Sequence, residues 1–355
     1  MKSIFTNAKI IGENIPYSVY SKQPVDPVAT ALDDAKFLAD TGEVSNLPPV
    51  LAKRGSPLYV MSRGELVDFL ACPMRWIDQP EDESTASTRY GSLVDTLALQ
   101  PDKFDEIYCV APETYTSDKG EEKPWNTNAN FCKDWVAKRS DKQIVKQKDL
   151  DAAEDAIKRL LADGRIRDFI ECSKKQVMVS ADYHDAETGL IIPVRVLTDL
   201  VPDPKHALYG KSLGDLKTSQ DASNYKWPRT VSQFTYHVQA ALNLDLHTVA
   251  NPDIERIEFR HLIQESEPPY QTGRRILSSE FIEIGRAKYM AALKLYCQCL
   301  KHQFWPDFET GPNVMNGWSL TQPSGWDITQ AFDESSIEFP VTKQETKTQS
   351  NDLIP

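Results

Sequence analysis

The sequence predicts an α/β fold in which helices flank a mixed central sheet. Helical patterns come first, and three strand patterns then follow one another between residues 176 and 217. A further helical pattern, one more alternating segment and a long helical pattern complete the series. That order of elements is typical of an α/β domain built on a mixed sheet.

The first sixty residues carry six prolines and little periodic patterning. We therefore expect an N-terminal extension over 1–60, in which residues 28–40 are compatible with one amphipathic helix. A main domain over 61–310 should follow this extension.

The main domain opens with helical patterns that have clear ends. Ser62, with Glu65 three residues later, is typical of a capping box at the start of a helix. Cys72-Pro73 interrupts that helix, because proline cannot donate the backbone hydrogen bond. A second helix is predicted from residue 90, and Pro101 ends it.

The middle of the chain alternates between polar and periodic segments. The polar residues 110–130 predict a loop, and a hairpin turn is predicted at 185–189. The predicted helices are 130–140, 148–163 with Gly164 as its end signal, 231–246 and 278–304, and the predicted strands are 176–184, 190–201, 209–217 and 254–263.

The C-terminal part changes composition after Trp305-Pro306, which should stop the last helix. We expect a C-terminal extension over 311–334. Residues 335–355 are rich in Lys, Thr, Gln and Ser, which predicts a disordered tail.

Composition limits the class of protein. Forty per cent hydrophobic and 26% charged residues are ordinary for a globular protein, and no apolar run reaches the length of a membrane span. The net charge of −12 argues against a uniformly basic surface, although it allows a local basic groove. Without a leader pattern, we expect a cytoplasmic protein that makes no membrane contact.

The six cysteines are irregularly spaced, which favours reduced thiols. An iron–sulfur cluster using Cys72, Cys297 and Cys299 is the less favoured alternative, because the fourth ligand is missing and Cys-x-Cys is an unusual spacing.

Three charged residues at the end of the strand series predict chemistry. Asp215 and Lys217 are two apart, so in a strand they lie on one face while Leu216 points into the core. Pairing of adjacent strands brings Asp199 beside them. Two carboxylates form a site for a hard cation, and the ammonium adds a basic group, which suits metal-assisted hydrolysis of a phosphodiester.

These residues and their neighbours resemble the PD-(D/E)XK nucleases, and within them the phage-type exonuclease VIII (RecE-like) branch. The resemblance spans roughly 61–310. The segments that carry it are Ser62…Leu66…Phe69…Cys72-Pro73, Gly91-Ser92-Leu93-Val94-Asp95 with Pro101…Phe104, Asp215-Leu216-Lys217-Thr218 with Asp221-Ala222, Tyr236-His237-Val238-Gln239-Ala240, and Trp305-Pro306.

The resemblance implies a restriction-endonuclease-like core with helical N-terminal additions. It also implies that Asp199 and Asp215 hold one or two Mg²⁺ or Mn²⁺ ions, and that Lys217 orients or deprotonates the attacking water. Gln239 would position the water, the lysine or a phosphate.

Several side chains near the motif are weaker candidates for contacts with DNA. Lys226 and Arg229 would bind phosphates, and Tyr225 or Trp227 would stack on an exposed base. Tyr236 and His237 are also candidates, although packing is the commoner role for both residues.

Two positions depart from the family. Asp95 stands where relatives carry a metal-binding His. As a hard oxygen donor it suits Mg²⁺, although the change is equally compatible with a weakened site. Some relatives have Glu on the first strand, where this chain offers Gln176, and a neutral amide is a poorer metal ligand.

The leading hypothesis is a metal-dependent DNA exonuclease that acts on double-stranded ends in recombination, in the 5′ to 3′ direction by resemblance. Such enzymes act beside a single-strand-annealing recombinase and assemble as homo-oligomers, here in a bacterial host cell with a phage or prophage context. The alternatives are a catalytically inactive DNA-binding or scaffold protein with the nuclease fold, and a structure-specific endonuclease of the same fold.

Overall fold

Six strands form one mixed sheet in the computed structural model, which describes residues 4–16, 54–79, 85–117, 119–310, 314–315 and 318–319. The predicted helix at 28–40, the tail at 335–355 and most of the extension at 311–334 lie outside these ranges. Twelve strands are described, namely β1 (Phe5–Gly12), β2 (Tyr108–Ala111), β3 (Thr114–Thr116), β4 (Glu122–Pro124), β5 (Gln143–Lys146), β6 (Ser173–His184), β7 (Ile191–Pro202), β8 (Ser212–Ser219), β9 (Glu258–Glu265), β10 (Thr272–Ile276), β11 (Val314–Met315) and β12 (Trp318–Ser319).

The sheet order is β1-β6-β7-β8-β9-β10. β8 and β9 are parallel, and every other neighbouring pair is antiparallel. Two helices connect β8 to β9, as a parallel pair requires. The sheet is therefore mixed, as the sequence predicts.

The helices of the described residues cover both faces of this sheet. They are α1 (Arg63–Ala71), α2 (Pro73–Asp78), α3 (Ala86–Leu99), α4 (Phe104–Ile107), α5 (Asn130–Ala137), α6 (Gln147–Ala162), α7 (Gly164–Glu171), α8 (Trp227–Gln233), α9 (Tyr236–Ala250) and α10 (Ser279–His302).

Each face of the sheet has its own apolar core. The larger core lies between the sheet and helices α1, α2, α9 and α10. The smaller core lies under α3, α6 and α7 and includes Leu200, Leu216 and Leu262 of the sheet. Burial on both faces explains why the central strands read as near-continuous apolar runs.

The N-terminal segment contributes an edge strand, which the sequence did not predict. β1 pairs antiparallel with β6, and two register shifts interrupt the pairing. Asn7 adopts a left-handed conformation with φ of 51° at the first shift. Such bulges break the two-residue alternation by which a strand is recognised. Phe5, only 2% exposed, anchors the strand with its ring 6.0 Å from that of Tyr183. Part of the predicted extension over 1–60 thus belongs to the main sheet.

Most predicted elements are present with shifted ends, and four predictions were wrong in detail. Gly164 begins α7 rather than ending α6, because the Asp163 carboxylate caps the next helix by accepting from the Arg165 backbone N–H at 2.9 Å. The predicted helix 231–246 is two helices, broken at Thr235 with φ of 54°. The predicted loop 110–130 contains short strands, and β10 was missed.

The cap at the first predicted helix is confirmed. The Ser62 side chain accepts from the backbone N–H of Glu65 at the start of α1. The Glu65 carboxylate takes a different role from the one a capping box implies, because it accepts from the indole Nε1 of Trp76 at 2.5 Å. Pro73 begins α2 directly after α1 ends.

The described chain forms two compact units, residues 1–306 and 307–355. In the second unit, a turn at Asp307 is closed by Thr310, and β11 pairs with β12. No helix among the described residues is long and apolar enough to cross a membrane.

Candidate active site

β7 and β8 separate where the candidate site lies. Within the described residues the two strands share one register pair, Leu200 with Gly214. Two residues beyond Gly214 along β8, the backbone N–H of Leu216 donates to Oδ2 of Asp199 at 2.9 Å. A carboxylate therefore replaces the backbone carbonyl that would continue the ladder, and the separation leaves room for side chains.

Asp215 and Lys217 lie on one face of β8, as the spacing predicts, and Leu216 is buried in the core between them. The Lys217 ammonium forms an ion pair with Oδ2 of Asp215. Gln239 on α9 donates from Nε2 to Oδ1 of Asp215 at 2.6 Å. Asp215 has no exposed surface, whereas the Lys217 side chain retains 20% exposure, so Lys217 is the more accessible residue of the pair.

α3 brings Asp95 to the same group. The helix passes close to β8 at Gly91, where a Cβ would lie 3.2 Å from Oγ1 of Thr218. Asp95 follows one turn later and interacts electrostatically with Asp215 and Lys217. A glycine at 91 thus allows the close approach that places this third carboxylate.

The carboxylates affect one another's protonation. Burial raises the pKa of Asp199 well above its ordinary value, and the neighbouring Asp215 and Asp95 raise it further. Burial also raises the pKa of Asp95 to about 7. Burial opposes ionisation of Asp215 too, but the Lys217 ammonium outweighs it and lowers the pKa of Asp215. The Lys217 ammonium therefore stabilises the charge of Asp215 more than that of the other two carboxylates.

Lys217 is held by charge and by an aromatic ring. Burial lowers the pKa of its ammonium, but Asp215 and Asp199 outweigh that effect and leave the pKa raised. Its Nζ lies 5.2 Å from the ring centroid of Tyr236, within the range of a cation–π contact. Tyr236 in turn contacts the Arg63 guanidinium at 5.8 Å and the Trp227 ring at 5.9 Å.

His261 is a neighbour that the sequence analysis missed. It lies opposite Asp215 in the β8–β9 register and is fully buried. Neither ring nitrogen has a hydrogen-bond partner among the described residues, and burial lowers the pKa of His261 to about 4. A histidine within the apolar segment FRHLI is the only sequence signal of this position.

Gln176 lies beside Asp199, at the position where the first strand of some relatives has Glu. The β6–β7 register pairs Lys175 with Leu200 and Val177 with Thr198, so Gln176 falls opposite Asp199. Gln176 is 3% exposed with φ of 48°, and its Oε1 has no hydrogen-bond partner within the described ranges. This buried acceptor is available to a donor or a cation.

Comparison with known proteins identifies the fold. A family model described as a PDDEXK-like domain of unknown function (DUF3799) matches residues 62–311. The chain belongs to this PDDEXK-like family. It is also similar to the crystal structure of a proposed exonuclease from Eubacterium rectale, with 14% identity over 81% of this chain and 99% of that chain and a TM-score of 0.46. No curated protein matches the sequence.

The family assignment confirms the restriction-endonuclease-like core, with its mixed sheet between helices. PDDEXK nucleases generally use divalent metal ions, so the fit of the residues to such an ion can be tested. With all three carboxylates ionised, they and the ammonium carry a net charge of −2, which one divalent cation would neutralise. The donors are carboxylate oxygens, the ligands that hard cations prefer.

One observation qualifies the fit. No three His, Cys, Asp or Glu side chains of the described residues meet in the geometry of a metal site. The ion pair explains this for Asp215, since Lys217 contacts the same Oδ2 atom that has no other hydrogen-bond partner in the described part of the chain. The residues therefore fit a divalent cation in chemistry and charge, and binding requires the carboxylates to converge.

The weaker DNA-contact candidates divide into exposed and buried residues. Lys226 and Arg229 are exposed. His237 is buried, donates from Nδ1 to the Val231 carbonyl at 3.2 Å and lies beside the Phe281 ring, which favours a packing role over a DNA contact. Trp227 is only 3% exposed and cannot stack on a base. Tyr236 is half-buried beside Lys217.

The cysteines do not form a cluster. All six are free, and four of them are buried: Cys72, Cys132, Cys297 and Cys299. Burial raises the pKa of the Cys297 thiol to about 12 and that of Cys299 to about 11, which favours inert thiols. The alternative of an iron–sulfur cluster finds no support among the described residues.

Proposed function

We propose that this protein is a metal-dependent deoxyribonuclease, specifically an exonuclease that acts on double-stranded DNA ends. The observation that carries the proposal is the group formed by Asp199, Asp215 and Lys217 where β7 and β8 separate, braced by Gln239. This arrangement combines oxygen donors for a cation with an ammonium, on a fold whose members include nucleases.

In the proposed site, Asp199 and Asp215 hold Mg²⁺ or Mn²⁺, and Asp95 adds a third oxygen donor. The bound ion would supply Lewis-acid polarisation of the phosphate and a lower pKa for the attacking water. Asp215 is the central ligand, because Gln239 and Lys217 fix one oxygen each.

Lys217 is proposed to orient the attacking water and to stabilise negative charge on the phosphate. The adjacent carboxylates keep the pKa of its ammonium raised, so Nζ acts as a charged hydrogen-bond donor. Contact with the Tyr236 ring limits its rotamers. Gln239 acts through Asp215 and is a positioning residue.

The preference for ends, the 5′ to 3′ direction and the role in recombination come from the sequence resemblance to exonuclease VIII. The same resemblance supports a single-strand-annealing recombinase as partner, a homo-oligomeric assembly, and a site of action in the cytoplasm of a bacterial host cell, in a phage or prophage context.

The test compares linear, nicked and covalently closed circular duplex DNA, each with Mg²⁺ or Mn²⁺. We expect digestion of linear DNA only. Lys217→Met should lower the rate on the order of 10²- to 10³-fold, the range for losing one preorganised charge-stabilising donor. Lys211→Met is the matched control, because Lys211 is exposed just before the same strand and pairs only with Glu255 among the contacts described.

Three outcomes would contradict this assignment. DNA binding without cleavage under either metal would favour a catalytically inactive DNA-binding protein. Cuts in circular DNA would favour a structure-specific endonuclease of the same fold. Equal activity of Lys217→Met and Lys211→Met would remove Lys217 from the chemistry.

A further inference from the structure

The loop between β8 and α8, residues 220–226, directly follows the candidate site and is held at its centre. The Ala222 N–H donates to Oε1 of Glu265 at 2.9 Å, and Arg275 donates to the Ala222 carbonyl at 2.5 Å. Gly273 lies beneath, where a Cβ would be 3.1 Å from that carbonyl oxygen. Strands β9 and β10 therefore fix the backbone of this loop.

The two ends of the loop are also fixed. Oδ1 of Asp221 accepts from the backbone N–H of Ser223 at 2.8 Å, and Oδ2 pairs with the Lys226 ammonium at 3.2 Å. Trp227, next in the chain, is buried with its ring 5.4 Å from that of His261. The loop thus has a defined backbone course from the end of β8 to the start of α8.

Tyr225 stands out on this fixed loop because its side chain is 77% exposed. Its neighbours Lys226 and Arg229 are exposed too. Lys226 pairs with the Asp221 carboxylate, so these three side chains leave one net positive charge near the ring. An aromatic side chain exposed to this extent buries little apolar area and so stabilises the fold little. An aromatic ring beside basic groups is, by contrast, typical of surfaces that bind single-stranded nucleic acid.

A short chain of contacts connects this surface to the catalytic candidates. The Lys217 ammonium lies 5.2 Å from the Tyr236 ring, and that ring lies 5.9 Å from the Trp227 ring. Tyr225 precedes Trp227 by two residues. The loop therefore adjoins, through Trp227 and Tyr236, the side chains that surround Lys217.

We propose that Tyr225 stacks on the unpaired terminal base of a DNA end, while Lys226 and Arg229 contact the phosphates of the same strand. This proposal rests on the nuclease function proposed above and adds how the substrate end is held. The stacking is sequence-tolerant, because every base has an aromatic face. Both Tyr225 and Trp227 are stacking candidates by sequence, and of these two Tyr225 is exposed and Trp227 is buried.

Steady-state kinetics on linear duplex DNA give the first test, with Tyr225→Ser, Tyr225→Phe and the control Leu208→Ser. Leu208 is 69% exposed in the loop before β8, so it matches the exposure but precedes the strand. We expect Tyr225→Ser to raise KM about tenfold with kcat within about twofold, which is the size of losing one stacked base. Tyr225→Phe and Leu208→Ser should behave as the natural protein.

A binding measurement separates this inference from the nuclease assignment. A duplex with 2-aminopurine as the unpaired terminal base is titrated with Lys217→Met protein, in which cleavage should be slowed on the order of 10²- to 10³-fold. Stacking on Tyr225 should quench the 2-aminopurine fluorescence. The double variant Lys217→Met, Tyr225→Ser should show no quenching. As a control, 2-aminopurine placed about ten base pairs inside the duplex should show no change in fluorescence with either protein.

The results distinguish the two failures. An unchanged KM together with unchanged quenching in Tyr225→Ser overturns the role of Tyr225 and leaves the nuclease intact. Quenching that depends on Tyr225, in a natural protein that cleaves no DNA, supports the contact and overturns the nuclease.

Discussion

The two edges of β8 differ in how far the strand is paired. Toward β9, eight consecutive residues from Ser212 to Ser219 are in parallel register. Toward β7, the described residues share the single pair of Leu200 with Gly214. β8 is therefore paired along its whole length on the edge that faces β9, the anchored edge. On the edge that faces β7, the released edge, it is paired at one position among the described residues.

The difference shows that the candidate catalytic residues lie where β8 loses its backbone pairing with β7. The released edge leaves Asp199 and Asp215 next to each other, and burial together with like charge disfavours the ionisation of Asp199. The anchored edge holds β8 in place against that repulsion. We expect substitutions on the released edge to change activity and stability in opposite directions, as at many functional sites.

The largest effect is expected from Asp199. Asp199→Asn removes a proposed metal ligand and should lower activity on the order of 10³-fold, because metal coordination contributes several kcal/mol. The same change relieves repulsion by Asp215 and Asp95, so the variant should unfold at a higher temperature than the natural protein without divalent metal. Activity assays and thermal melts with and without Mg²⁺ measure both effects.

Asp199→Ala is the matched comparison, since it removes the charge and the hydrogen-bond acceptor together. The Leu216 N–H, buried within the sheet, then lacks its partner. We expect Asp199→Ala to be less stable than Asp199→Asn by about 1–3 kcal/mol in urea unfolding. Equal stability of the two variants would show that the carboxylate does not replace the missing ladder bond.

A smaller effect is expected from Gly91, which sets how close α3 lies to β8. Gly91→Val adds side-chain atoms beyond a Cβ that already lies 3.2 Å from Oγ1 of Thr218. α3 must move away and take Asp95 with it, which should cost about 1–3 kcal/mol of stability. Cleavage should fall about tenfold, with a higher Mg²⁺ requirement.

The double variant Gly91→Val, Thr218→Ala tests the cause of that loss. Removing Oγ1 relieves the contact, so part of the activity and stability should return. If Thr218→Ala adds its own loss to that of Gly91→Val, the helix is not held off by this contact, and the placement of Asp95 depends on something else.

The sequence sufficed for the residues whose placement follows from local periodicity. Asp215 and Lys217 share a face because side chains alternate along a strand, and Gln239 reaches Asp215 from the next helical segment. The partner of the Leu216 N–H was not predictable, because no local pattern shows that β7 and β8 separate. β1 was missed because bulges interrupt the alternation of its side chains. His261 was missed because its position opposite Asp215 depends on pairing between strands that are distant in sequence.

The smallest expected effect is a pH dependence of the free energy of unfolding. It comes from a buried histidine that is hydrogen-bonded to β7 next to Asp199. Thr198, next to Asp199, shares a 3.0 Å hydrogen bond between its Oγ1 and Nε2 of the buried His247 on α9. Burial, and then Arg256, lower the pKa of His247 from 6.5 to about 3. The unfolded chain therefore binds a proton below pH 6.5 that the folded chain refuses, and stability falls as the pH decreases from 6.5 toward 3. From about pH 7.5 to about pH 5.5 this histidine should account for a loss of about 1.4 kcal/mol of unfolding free energy.

Urea unfolding of His247→Gln tests this dependence. The variant should be less stable than the natural protein at the higher pH and should lose about 1.4 kcal/mol less on acidification. His184→Gln is the control, because His184 is exposed at the end of β6, and its pH dependence should match that of the natural protein. If His247→Gln loses as much stability on acidification as the natural protein, His247 takes up its proton in the folded state. The imidazole beside Thr198 is then not held neutral by burial.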